Sequence, residues 1–222
     1  MRKIFITVVI LIIALCHNSK AEQEWQSGLL FGINSSAMYG DKIKDFSATK
    51  LAIPVIGFDG GCYLSREISR NFYFQPEIRL VLKGYATDDN YYSGSGSTSY
   101  SSQVWSTGTY RLLYFEIPLL FKARFNTVSK GTPEIMIGPS CSIFATGLNE
   151  PAGRFNQNFD NYNINRFDYG VIFGAGMDYD WMMFNLRFYY GMNQYVREQD
   201  AYSRSLIFTL GFNSQNTKRS GR

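Results

Sequence analysis

Residues 166–180 read RFDYGVIFGAGMDYD, and every second position carries an apolar or aromatic side chain. Phe167, Tyr169, Val171, Phe173, Ala175, Met177 and Tyr179 share one parity. Arg166, Asp168, Gly170, Ile172, Gly174, Gly176 and Asp178 share the other. Successive side chains of a β-strand point to opposite faces, so a repeat of two sorts these residues into two surfaces. One surface is apolar throughout, and the other is mostly small or charged. A helix would scatter the same residues around its axis.

The pattern recurs along the chain. Phe72, Phe74, Pro76, Ile78, Leu80 and Leu82 stand against Tyr73, Gln75, Glu77, Arg79, Val81, Lys83 and Tyr85. Leu113, Phe115, Ile117, Leu119, Phe121, Ala123 and Phe125 stand against Tyr114, Glu116, Pro118, Leu120, Lys122 and Arg124. Met182, Phe184, Leu186, Phe188, Tyr190 and Met192 oppose Asn185, Arg187, Tyr189, Gly191 and Asn193. Leu206, Phe208, Leu210 and Phe212 close the series. Three weaker runs, 27–35, 52–64 and 134–146, bring the expected strands to eight, an even number suited to a single-chain membrane barrel. The connections alternate too. Segments 65–71, 126–133 and 180–181 are short, whereas 36–51, 86–109, 147–165 and 194–203 are longer and polar. Short turns at one end and long loops at the other are the outer-membrane arrangement.

The apolar faces decide between a soluble and a membrane barrel. Each of the five clearest strands offers four to seven apolar residues on one face, many of them Phe or Leu. Eight strands enclose barely enough space for ordinary side chains, so that set would overfill the interior. Turned outward, it makes a band for lipid, and the glycines and polar residues fit the narrow lumen. Aromatic residues reach 17% of the chain, with 18 Phe and 16 Tyr, and charged residues 18%, below the roughly 25% of soluble domains. Pro76, Pro118 and Pro139 fall inside runs that must pair on both sides, so bulges or rim positions are expected there. A soluble exported barrel around a small hydrophobic ligand, and a narrow ion or small-solute channel, are the alternative readings.

The N-terminus reads as a secretory signal over residues 1–21. Arg2 and Lys3 precede the apolar run from Ile4 to Leu15, and Ser19-Lys20-Ala21 offers a cleavage site before Glu22. The barrel is then expected over 22–213 and a polar tail over 214–222. Cleavage removes Arg2, Lys3 and Lys20 from 22 basic residues, leaving 19 against 18 acidic ones and a net charge of +1. That balance gives no support to a nucleic-acid partner. It also removes His17, the sole histidine, which excludes a Ser-His-Asp arrangement. No catalytic, metal or cofactor site is expected. Cys62 and Cys141 remain, either as a disulfide or as two separate thiols.

Two groups of residues are candidates for interactions. Glu77, Arg79, Lys83, Glu116, Lys122, Arg124, Asp168 and Arg187 share lumen-facing parities and form a candidate charge network. Its bland reading is a salt-bridged plug, and its functional reading an ion path or binding site. Tyr91, Tyr92, Tyr100 and Trp105 cluster around the longest loop as candidate surface contacts. Trp25, Trp105, Tyr110 and Trp181 also suit the aromatic belts of a membrane interface.

The segments Gln75-Pro76-Glu77-Ile78 to Lys83-Gly84, Tyr114-Phe115-Glu116-Ile117-Pro118-Leu119-Leu120-Phe121-Lys122 and Ile137-Gly138-Pro139 resemble the PorT-like outer-membrane β-barrel family. The resemblance spans about residues 27 to 213. It implies an outer-membrane protein of a Bacteroidetes-type bacterium and an accessory role in protein export, with envelope or secretion proteins as partners beside outer-membrane lipid. The expected fold is therefore an all-β, eight-stranded, antiparallel up-and-down transmembrane barrel.

Overall fold

The computed structural model describes residues 25–39, 53–87, 108–125, 131–149, 154–156, 165–179, 181–194 and 202–214. The strands are β1 (Gln26–Tyr39), β2 (Ile53–Ser69), β3 (Phe72–Thr87), β4 (Gly108–Arg124), β5 (Thr132–Asn149), β6 (Arg154–Asn156), β7 (Phe167–Asp178), β8 (Met182–Gln194) and β9 (Tyr202–Asn213). Eight long strands pair antiparallel, each with its neighbour in sequence among them, and β1 pairs β9 from Gly28↔Asn213 to Tyr39↔Tyr202. That last ladder closes the sheet into a barrel with no free edge, as a sheet in lipid requires. The three-residue β6 is an addition to the eight long strands and pairs the outer end of β5, from Gly147 to Asn149. The alternation does not announce so short a strand.

The strands run longer than the alternating stretches. β2 and β4 have 17 residues and β5 has 18, against 12 in β7 and β9. β2 runs past the expected 52–64 to Ser69, into the segment expected as a short turn, whereas in β4 and β5 the extra ladder lies toward the long connections, where Thr87 pairs Gly108 and Tyr110 pairs Asn149. Polar residues there carry the hydrogen-bond ladder onward without hydropathic alternation. At the other end β2 and β3 are joined by Arg70-Asn71 alone, with Asn71 in the left-handed region at φ 70°. Asn tolerates that conformation better than most residues.

The prolines depart from expectation. Pro139 pairs Val171 within an unbroken β5–β7 register. The β3–β4 pairing skips residues 77–78 and 117–118, then resumes unshifted from Pro76↔Leu119 to Arg79↔Glu116. The ladder absorbs a missing N–H by thinning locally rather than by bulging. The register shifts fall elsewhere, between Pro54 and Asp59, between Glu67 and Ser69, at Leu113/Tyr114 and between Tyr190 and Gln194.

The apolar faces point outward. Ile56, Phe58, Leu80, Ile137, Phe167, Phe173, Leu186 and Leu206 are all about half or more exposed. A soluble ligand-binding barrel would need these side chains inside, so that alternative fails. Inside, Leu120, Met136, Ile172, Tyr189 and Ile207 form one apolar cluster and Leu30, Tyr63 and Met183 another. The lumen is therefore not purely polar, as the alternation implies: apolar clusters lie among its charges, with Lys122 Nζ 3.7 Å from the Met183 sulfur. Cys62 and Cys141 are free and both exposed. They lie on β2 and β5 with β3 and β4 between, roughly 14 Å apart around the wall at about 4.8 Å per strand, beyond disulfide reach.

Candidate functional site

The inward parity of the strands gathers eleven buried charges. Arg79, Lys83, Lys122, Arg124 and Arg187 face Asp59, Glu77, Glu116, Glu134, Asp168 and Asp178. All eight residues of the sequence-derived network lie here. Asp59, Glu134 and Asp178 are additions. Asp178 stands on the polar parity of the strand read first, two residues from its end. Glu134 follows Pro133 at a strand start, and Asp59 sits among Gly57, Gly60 and Gly61, where alternation is weak. The missed signal was parity alone: each is a charge on a lumen-facing position.

The charges form three tiers along the barrel. Nearest the short turns, Arg124 Nη2 lies 2.8 Å from Asp178 Oδ2 and its Nε donates to Glu134 Oε2 at 3.3 Å. Lys122 Nζ donates to the other oxygen of Glu134 at 2.7 Å. In the middle tier the two terminal nitrogens of Arg187 donate to both carboxylate oxygens of Glu77, at 2.7 and 3.0 Å. Gln75 donates to the same carboxylate at 2.6 Å, and Arg79 Nη2 lies 2.6 Å from Asp59 Oδ1. Toward the long loops, Lys83 Nζ lies 2.7 Å from Glu116 and 3.7 Å from Asp168. Ser142 donates to Glu116 at 3.4 Å.

Strand positions give these distances their meaning. Around the ring, β3 and β8 are diametrically opposite. The bidentate Glu77–Arg187 pair joins them, so it spans the whole width of the lumen. Lys83 on β3 also sits 3.9 Å over the ring of Tyr189 on β8, a second crossing. A cation over an aromatic face in a desolvated site gains about 2 kcal/mol. Both members of the first crossing have fully buried side chains. Burial of each ion alone would cost several kcal/mol, which close pairing offsets. Glycine makes room for this filling: a Cβ on Gly32 would stand 2.4 Å from Asp59 Oδ1, and one on Gly174 3.0 Å from the Arg187 Cα. Among the described residues no group of three or more His, Cys, Asp or Glu side chains is placed to hold a metal ion.

The remaining sequence candidates are distributed as follows. Tyr91, Tyr92, Tyr100 and Trp105 lie outside the described residues, as do the expected signal segment 1–21 and residues 215–222 of the tail. Trp181 is exposed at the short-turn end beside Phe212, ring centroids 6.3 Å apart. Trp25 lies at the same end, with the Arg66 guanidinium 5.6 Å from its ring. Tyr39, Tyr169 and Tyr190 are exposed at the loop end. Aromatic rings thus flank the apolar band at both ends, the girdles that mark the two membrane interfaces.

A closed barrel that is apolar outside, filled inside and girdled at both ends defines the class of transmembrane β-barrels. A family described as "Outer membrane protein beta-barrel domain" matches residues 18–197, and the chain belongs to it. It is an outer-membrane β-barrel protein of the Gram-negative envelope, and contacts membrane lipid. β9, which closes the cylinder, lies beyond the matched range. No curated protein matches. Solved structures similar to it include Neisserial surface protein A, at 12% identity and TM-score 0.45, over 84% of this chain and 96% of that one. Ail, the attachment invasion locus protein of Yersinia pestis, solved with the heparin analogue sucrose octasulfate, matches at 12% identity and TM-score 0.43, over 86% and 99%. OprG from Pseudomonas aeruginosa matches at 11% identity and TM-score 0.44, over 85% and 94%.

Proposed function

We propose that the protein is a non-enzymatic, non-conducting barrel whose role is structural or interactive and is carried by its loop end rather than its lumen. The observation that supports this reading most is the Glu77–Arg187 pair across the lumen's full diameter. A hydrated ion would have to break it, and breaking a buried pair costs about 3–5 kcal/mol. The tiers above and below, at Lys83 and Arg124, add further barriers in series.

The finer reading rests on the sequence resemblance. The chain carries a cleaved signal over residues 1–21, and its loops, with Tyr91, Tyr92, Tyr100 and Trp105, contact envelope or secretion proteins as an accessory to export. Planar-bilayer recording tests the first part: the folded protein inserts without unitary current steps. Reproducible steps that change on neutralising Arg79 or Glu116 would establish a channel instead.

A further inference from the structure

Arg204 breaks the pattern set by the buried cations of the lumen. The five lumen cations each meet a carboxylate. Arg204 lies on the opposite surface of the wall: Ser203 and Ser205 beside it are buried inward, while Leu206 and Phe208 on its own parity are exposed. Its guanidinium carbon sits 3.9 Å from the ring centre of Tyr39 on β1 and 4.9 Å from that of Tyr190 on β8. Across β1 its partner is the small Ala37, which leaves the space that the guanidinium occupies. Among the described residues no carboxylate pairs with it, and its Nε is buried without a hydrogen-bond partner.

Depth explains why a charge is tolerated on this face. Phe212 and Trp181 mark the short-turn margin of the apolar band. Arg204 is eight residues from Phe212 along β9, which at about 3.4 Å per residue and a tilt near 40° puts it roughly 21 Å up a band about 25 Å tall. An arginine at mid-band costs about 2–4 kcal/mol, and near an interface about 0–1. At that height a guanidinium on the outer face stands within a side chain's reach of the headgroup layer. Two flanking rings hold the guanidinium in place, and a planar fork suits phosphate oxygens bidentately.

We propose that Arg204, clamped between Tyr39 and Tyr190, binds the phosphate of a lipid headgroup in the leaflet at the loop end of the barrel. The clamp fixes the guanidinium before lipid arrives, so little side-chain entropy is lost on binding.

The test uses the purified protein folded in a neutral detergent and titrated with phosphatidic acid, with bound lipid counted by native mass spectrometry. Heat-shifted gel mobility reports that each variant is folded. Arg204→Gln should weaken retention of phosphatidic acid by roughly tenfold or more, the scale of a lost charge-assisted hydrogen bond. Arg204→Lys should keep part of it, and Tyr39→Leu with Tyr190→Leu should weaken it while the charge remains. Inorganic phosphate at millimolar concentration should not displace the lipid. Equal retention by folded wild type and folded Arg204→Gln would overturn the proposal. Displacement by inorganic phosphate would overturn its lipid source and leave a plain anion site.

Discussion

Replacing Glu77 by Leu removes both oxygens that hold Arg187 and leaves a guanidinium inside the barrel without a carboxylate within 4 Å among the described residues. Leu has similar volume, so the loss is electrostatic rather than a cavity. An uncompensated buried charge costs about 3–5 kcal/mol, lowering the folding equilibrium constant by between roughly a hundredfold and a few thousandfold. The reverse deletion, Arg187→Met, should cost less. It leaves Glu77 with the Gln75 amide at 2.6 Å and Arg79 at 3.8 Å. The double variant, Glu77→Leu with Arg187→Met, should recover at least half of the loss from Glu77→Leu, because both charges then vanish together. Urea unfolding in detergent micelles, followed by tryptophan fluorescence, measures all three. If Glu77→Leu lies within about 1 kcal/mol of wild type, the middle tier is screened by water and the sealed-lumen argument fails.

Gly32→Val drives a side chain into the Asp59 carboxylate and the Phe208 carbonyl, at 2.4 and 2.7 Å already for a Cβ. It should destabilise the barrel by about 1–3 kcal/mol in the same unfolding assay. Phe208→Arg, on the outward face, should cost about 2–4 kcal/mol of folding free energy in phospholipid vesicles, whereas Phe212→Arg at the margin should cost about 0–1. Cys62 and Cys141 should react in vesicles with a membrane-permeant maleimide and resist a charged one. Oxidation should leave the gel mobility of the protein unchanged, since the two thiols stand on separated strands.

The fold was legible because lipid and lumen impose opposite demands on neighbouring residues, and residues 166–180 meet both at every position but Ile172, an apolar residue on the lumen parity. The turn between β2 and β3 was legible in place but not in length: residues 65–69 of the expected segment belong to β2, and Arg70-Asn71 alone makes the hairpin. The loop-side ends of β4 and β5 were not legible, because above the membrane nothing requires alternation and only the backbone ladder continues. Pro139 keeps its place in register because a long ladder tolerates one absent donor, which a residue-by-residue reading of the sequence does not convey.

The site was legible in membership and not in partnership. Parity put Glu77 and Arg187 on lumen faces, but period two says nothing of which strands stand opposite one another once the sheet closes. The bidentate pair follows from strand tilt and ring order, which appear only in three dimensions. Asp59 is hard to read because its own strand is rich in glycine, and the glycine that admits its carboxylate, Gly32, stands on the neighbouring strand β1. Arg204 reads in sequence as one more polar residue near a loop. Its two tyrosines come from β1 and β8, 165 and 14 positions away.

The central claim is a closed barrel with its apolar face outward, and gel mobility after refolding tests it most directly. Protein refolded in detergent should show β-sheet circular dichroism and migrate faster unboiled than boiled, while protein refolded in aqueous buffer alone should show neither property. Monomeric folding in plain buffer, with no change of mobility on boiling, would contradict the outward face and the membrane barrel with it.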